Sequence, residues 1–181
     1  MTYKFPHTIE NCVGEKITFQ KMDPSTGSVL VDAYCKPGAG PAMHTHLRQD
    51  EELTVVSGKM GYQVLGGEIK FALPGQTVLF PKKTPHKFWA EGKEDLCLHG
   101  RIQPADNVVF FLATLYDAQN KSGKAAPDPF TGAYLLTRYK KEYDMPEIPK
   151  FVKNIIFPIT VLIGKLTGKY KLLKNAPAPL K

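Results

Sequence analysis

The sequence predicts a mainly β protein, an antiparallel sandwich or barrel followed by a helical region. Three observations carry this. Short stretches of alternating apolar and polar residues recur between residues 16 and 103, separated by Gly/Pro-rich turns. The texture changes after Pro104, where apolar residues recur at helical spacing. At 181 residues, with 43% hydrophobic and 23% charged residues, the chain suits one globular domain with appendages.

The elements follow in order. KITFQKM and SVLVDAYC each alternate and are joined by the turn cluster DPSTGS. KPGAGPAM is too rich in Gly and Pro for a strand and reads as a loop. LTVVSGKMGYQVLGGEIKFAL contains two reversals, the second at Gly66-Gly67, which suits a two-residue hairpin. TVLF, HKFWA and LCLHGRIQ are further strands, with PKKTP a rigid loop before His86. Beyond Pro104, Asp106 is placed to cap a helix through NVVFFLATLYDAQN. FTGAYLLTRYKKEY is a second helix, ended by Met145-Pro146. The expected organisation is a barrel over residues 1–104 and a helical extension over 105–181.

Charge and cysteine content narrow the function classes. Lys150, Lys153, Lys165, Lys169, Lys171, Lys174 and Lys181 follow the last acid, Glu147, and account for the whole net charge of +7. The body is neutral, which argues against nucleic-acid binding. Cys12, Cys35 and Cys97 make no disulfide framework, and the N-terminus has no secretory pattern, so a cytoplasmic protein is expected. No apolar run is long enough to span a membrane.

Chemistry concentrates in HTHLRQDEELTVVSG, residues 44–58. Alternate residues of a strand share a face, so His44 and His46 project together, about 7 Å apart along the backbone. LRQD can turn the chain and return Glu51 beside the rings, with Glu52 and Asp50 facing solvent. His86, after its rigid loop, is the natural fourth ligand.

Gly38 to Gly58 resembles the first cupin motif at every fixed position: Gly, five residues, His-x-His, four residues, Glu, six residues, Gly. The second motif is matched at Gly75, Pro81 and His86, whereas Lys83 and Ala90 stand where the family has glycine and asparagine. The resemblance spans about residues 29–103. It implies a double-stranded β-helix (jelly-roll) barrel holding one divalent metal ion (Fe, Mn, Ni, Co or Zn) on His44, His46, Glu51 and His86. Two positions of a six-coordinate ion would then stay open.

Tyr62, Phe80, Phe88, Trp89, His99 and Arg101 are candidates to line a pocket for a small organic, apolar or aromatic ligand. Phe88 and Trp89 alternate, so one faces inward. The metal-dependent enzyme expected is of oxygenase or isomerase type, and the alternative is a non-catalytic binder or structural barrel. The N-terminal strands are expected to pair across a two-fold axis in a homodimer. The apolar run Ile155–Ile163, broken by Pro158 and followed by Gly164 and Gly168, has three candidate partners. They are the chain's own body, which is favoured, a second subunit, and an anionic membrane surface.

Overall fold

The computed structural model describes residues 3–180. Ten strands come first: β1 (His7–Glu10), β2 (Glu15–Asp23), β3 (Ser28–Cys35), β4 (Thr45–His46), β5 (Asp50–Ser57), β6 (Met60–Val64), β7 (Lys70–Ala72), β8 (Thr77–Phe80), β9 (His86–Ala90) and β10 (Leu96–Gln103). Then come α1 (Val108–Ser122), α2 (Pro129–Arg138), β11 (Tyr143–Asp144) and α3 (Phe157–Leu166). The large sheet runs β1-β2-β3-β10-β5-β8, a smaller one β7-β6-β9, and β11 pairs with β4.

Side-chain alternation decides what faces inward. On β3 the buried row is Val29, Val31, Ala33 and Cys35; on β5 it is Glu51, Leu53 and Val55; on β9 it is His86, Phe88 and Ala90. Leu53, Met60, Phe80, Phe88 and Leu98 fill the space between the sheets. A second core lies at the other end of the same face of the large sheet, where Phe19, Val31 and Ile102 meet Val108, Phe110, Phe111 and Leu135 of the helices. Barrel and extension thus share buried surface rather than sitting side by side.

Several local expectations are corrected. The connection at Gly66-Gly67 is longer than two residues, because β6 ends at Val64 and β7 starts at Lys70; only Gly66 takes a positive φ, 77°. Asp106 does not cap α1. It sits at φ 43°, and its carboxylate accepts from Arg48 Nε at 3.2 Å, while Asn107 opens the helix without a side-chain cap. Helix α2 stops at Arg138, well before Met145, since Tyr143 is drawn into pairing with His46. Asp128 caps its start, accepting from Phe130 and Thr131 N–H groups. Apart from these corrections, β1 pairs with β2 at one edge of the large sheet.

The tail is helical through the proline. Val152–Ile156 form a π-helical turn, with the Phe157 N–H reaching the Val152 carbonyl five residues back. This widened turn makes room for Pro158, which has no N–H to donate. Gly164 does not break the helix. A side chain there would meet the Tyr170 ring at 2.5 Å, so glycine lets Tyr170 fold back after the reversal at Gly168, φ 72°. Lys181 lies outside the described residues.

Gly58 shows why a glycine closes the first motif. Its φ is +80°, and a Cβ would stand 2.4 Å from the Asp95 carbonyl oxygen. Gly58→Ala should therefore cost at least about 2 kcal/mol, from left-handed strain plus the backbone clash. Gly27→Ala, with φ +67° but open space around it, should cost only about 1 kcal/mol. Chemical denaturation of both variants checks the ranking; equal losses would refute it.

Candidate metal centre

Four short pieces of chain bring the site together. His44 and His86 form a reciprocal backbone bridge, His44 N–H to His86 O at 2.9 Å and His86 N–H to His44 O at 2.8 Å. His46 ends β4, and Glu51 lies on β5 directly across from Phe80 of β8. The nitrogens of the three rings and the Glu51 carboxylate oxygen lie within 4.8 Å of one another. His46, Glu51 and His86 are buried and His44 is half-buried.

Hydrogen bonds fix which nitrogens face inward. His44 Nδ1 lies 2.8 Å from the Ala42 carbonyl, and His86 Nδ1 lies 2.8 Å from the Thr84 carbonyl. A carbonyl can only accept, so both Nδ1 atoms carry hydrogen and both Nε2 atoms present a lone pair. His44 Nε2 then faces His46 Nε2 at 3.2 Å, and His86 Nε2 faces Glu51 Oε2 at 2.9 Å. The His86–Glu51 contact sets acceptor against acceptor and needs a positive species between them, whereas His46 Nε2 can take either role toward His44. A cation at the centre answers both contacts, so the residues present fit a metal.

The electrostatics agree. Burial, and then the neighbouring His46 and His86, push His44 down to about 3, which keeps its ring neutral. Burial also lowers His46. Burial works to raise Glu51, but the His86 ring against its carboxylate and the other two histidines outweigh this and hold it at about 2. Neutral imidazoles with an ionised carboxylate form a donor set for a divalent ion.

The loop before His86 is tied to the same site. Asp50, at the surface as expected, accepts the Lys82 N–H at 2.7 Å, and the Lys83 N–H donates to the His46 carbonyl at 2.6 Å. Lys83 has φ 68°, so it keeps the left-handed backbone that the glycine of the family pattern would adopt freely. Ala90, in place of asparagine, is buried, and its N–H donates to Ala39 O.

Rings close around the ligands. Phe80 stacks on His86 at 3.9 Å between centroids and 4° between planes, and Tyr62 meets Phe80 edge-on at 5.9 Å. Phe88 is buried between the sheets. The other candidates point away. Trp89 lies over Gly61 and donates its Nε1–H to Glu91 at 2.6 Å. The His99 side chain is 68% exposed and bonds Asp32, while Arg101 pairs with Glu52 at 3.4 Å. Strand parity explains this: Leu96, Leu98 and Ile102 point inward on β10, so His99 and Arg101 point outward.

Two residues escaped the sequence reading. Tyr143 meets His46 edge-on at 5.6 Å, and Gln49, fully buried, donates Nε2–H to the Tyr143 hydroxyl at 3.2 Å. Among the described residues, His46 Nδ1 and Gln49 Oε1 are buried without partners, a donor and an acceptor three positions apart. Gln49 carried a weak signal, lying between two ligand candidates; Tyr143, far along the chain, carried none.

Residues 33–99 match the family model of the cupin domain. This stretch of the barrel is a cupin domain. An RmlC-like cupin from Shewanella frigidimarina NCIMB 400 shares the fold at a TM-score of 0.50, with 20% identity over 58% of this chain and 89% of that one. KdgF from Halomonas sp. aligns at a TM-score of 0.48, with 23% identity over 53% of this chain and 85% of that one. A cupin-like protein from Thermotoga maritima aligns at 0.47, with 22% identity over 54% and 72%. No protein of curated function matches the sequence.

Asp50→Ala should weaken metal binding roughly 10-fold without removing a ligand, because the loop carrying His86 loses its anchor. Titration of the apo protein with Co(II), followed by its visible absorption, measures this. An unchanged affinity would remove Asp50 from the supporting role.

Proposed function

We propose that the chain is a mononuclear metal-binding cupin that acts on a small organic substrate, with an oxygenase-type reaction the favoured class. The observation that carries this reading is the convergence of three imidazole nitrogens and one carboxylate oxygen within 4.8 Å. The metals that suit the set are Fe, Mn, Ni, Co and Zn. When bound, such an ion supplies Lewis acidity, and a redox-active one supplies dioxygen chemistry at its open positions.

The chain's own residues define the rest. Ala42 and Thr84 carbonyls orient two rings, and Glu51 neutralises part of the ion's charge. Phe80, Tyr62 and Phe88 keep the interior apolar, which favours an apolar or aromatic substrate. His44, the least buried of the four, marks the side open to an incoming molecule.

One observation favours a second reading, a metal that only holds the barrel together: His86 is 1% exposed and Glu51 7%. The two readings differ in whether a position on the ion stays open. Protein loaded with Mn(II) should speed the relaxation of water protons through an exchangeable inner-sphere water. No enhancement over a sealed site would discard the catalytic reading and leave the structural one.

The ligand assignment has its own check. Protein purified without added metal should carry one divalent ion per chain by elemental analysis. His46→Ala should lose most of it, and Glu52→Ala, which removes only the exposed Arg101 partner, should keep it. Full occupancy in the His46 variant would overturn the assignment.

A further inference from the structure

We infer that the outer face of the tail helix is a docking surface for an anionic membrane, on which it lies flat rather than crosses. The helix from Phe151 to Leu166 uses one side to hold the protein. Phe157 and Val161 pack into the helical core, Gly164 receives Tyr170, and Lys153 Nζ pairs with Asp144 at 2.7 Å. The opposite side carries Phe151, Ile155, Ile159, Leu162, Ile163 and Leu166, all exposed, Leu166 to 80%. Their spacing of i, i+4, i+8, i+11, i+12 and i+15 makes one continuous stripe, about 24 Å long at the α-helical rise. A continuous apolar stripe of this breadth marks a contact site.

Charge identifies the occupant. No acid follows Glu147, and lysines stand at both ends of the stripe: Lys150 at its start, Lys165 in its last turn, and Lys169, Lys171 and Lys174 beyond its end. Among the described residues, Lys150, Lys165, Lys171 and Lys174 take part in no ion pair. A second copy of this chain fits poorly, since a two-fold contact along the helix would set lysines against lysines with no acid to answer them. An anionic lipid surface answers both features, acyl chains for the stripe and headgroups for the ammonium groups. Among the described residues no helix is long and apolar enough to cross a bilayer, which leaves the in-plane mode. The back-face packing pre-orders the helix, so docking would not have to fold it.

The test is co-sedimentation of the full chain with vesicles of phosphatidylcholine alone and of phosphatidylcholine mixed with phosphatidylglycerol. Binding is expected to the mixed vesicles, to weaken with added salt, and to be minor on the neutral ones. Lys165→Glu with Lys171→Glu should lower the partition coefficient on the order of 30-fold or more, from about 1 kcal/mol per lost cation. Ile159→Asp with Leu162→Asp, both at exposed positions, should abolish binding while leaving circular dichroism and metal content unchanged. Absence of binding by the unaltered chain overturns the inference, as does equal, salt-independent binding to both vesicle types. Light scattering that finds a dimer which Leu162→Asp dissolves, with no vesicle binding, reassigns the stripe to self-association and also overturns it.

Discussion

Four polar donor atoms crowded into the interior of a small barrel are the constraint on which the rest of the structure turns. A buried lone pair facing a carboxylate oxygen at 2.9 Å, as at His86 and Glu51, is costly without a counter-charge. The protein holds them there through rigid parts: a reciprocal backbone bridge between His44 and His86, two carbonyls that lock ring tautomers, and Phe80 flat against His86. None of these alone places a ligand. Together they leave the rings little freedom to turn away, which is how a site is pre-organised for its ion.

Much of this was legible from the sequence, because the barrel obeys a period of two. Leu53 and Val55 fix the inward parity of β5, so Glu51 rather than Glu52 faces the histidines. The same rule, applied to Leu96, Leu98 and Ile102, would have turned His99 and Arg101 outward, and applied to His86 and Phe88 would have removed Trp89. Parity along the strand thus separates the side chains that reach the interior from polar and aromatic neighbours that do not. Gly38 to Gly58 announced the ligand loop through spacing alone. The support from Asp50, Gln49 and Tyr143 stayed hidden, since it depends on backbone groups and on a contact about 97 residues away in sequence, neither of which leaves a local pattern.

The helical half was harder to read. Propensity located α1 and α2 but missed their ends, where tertiary pairing overrode it: Asp106 was recruited by Arg48, and Tyr143 by β4. Proline and glycine in the tail were expected to break a helix that the structure continues. A π-helical turn absorbs Pro158, and the Tyr170 ring uses the space a side chain at Gly164 would fill. Lys83 makes a related point within the barrel. It holds a strained φ where glycine would be at ease, because its N–H bond to His46 O and the turn before His86 leave the backbone no alternative.

The strand β11 carries a consequence for where such a barrel ends. The recognisable stretch, residues 33–99, contains all four donor residues yet omits β1, β2, every helix and Tyr143. A piece cut at those limits would keep its chemistry and lose a wall, the ring leaning on His46 and the helices roofing the large sheet. The part of the chain with a recognisable pattern is therefore smaller than the part that encloses the four donors, and the tyrosine that walls His46 lies about 44 residues beyond it.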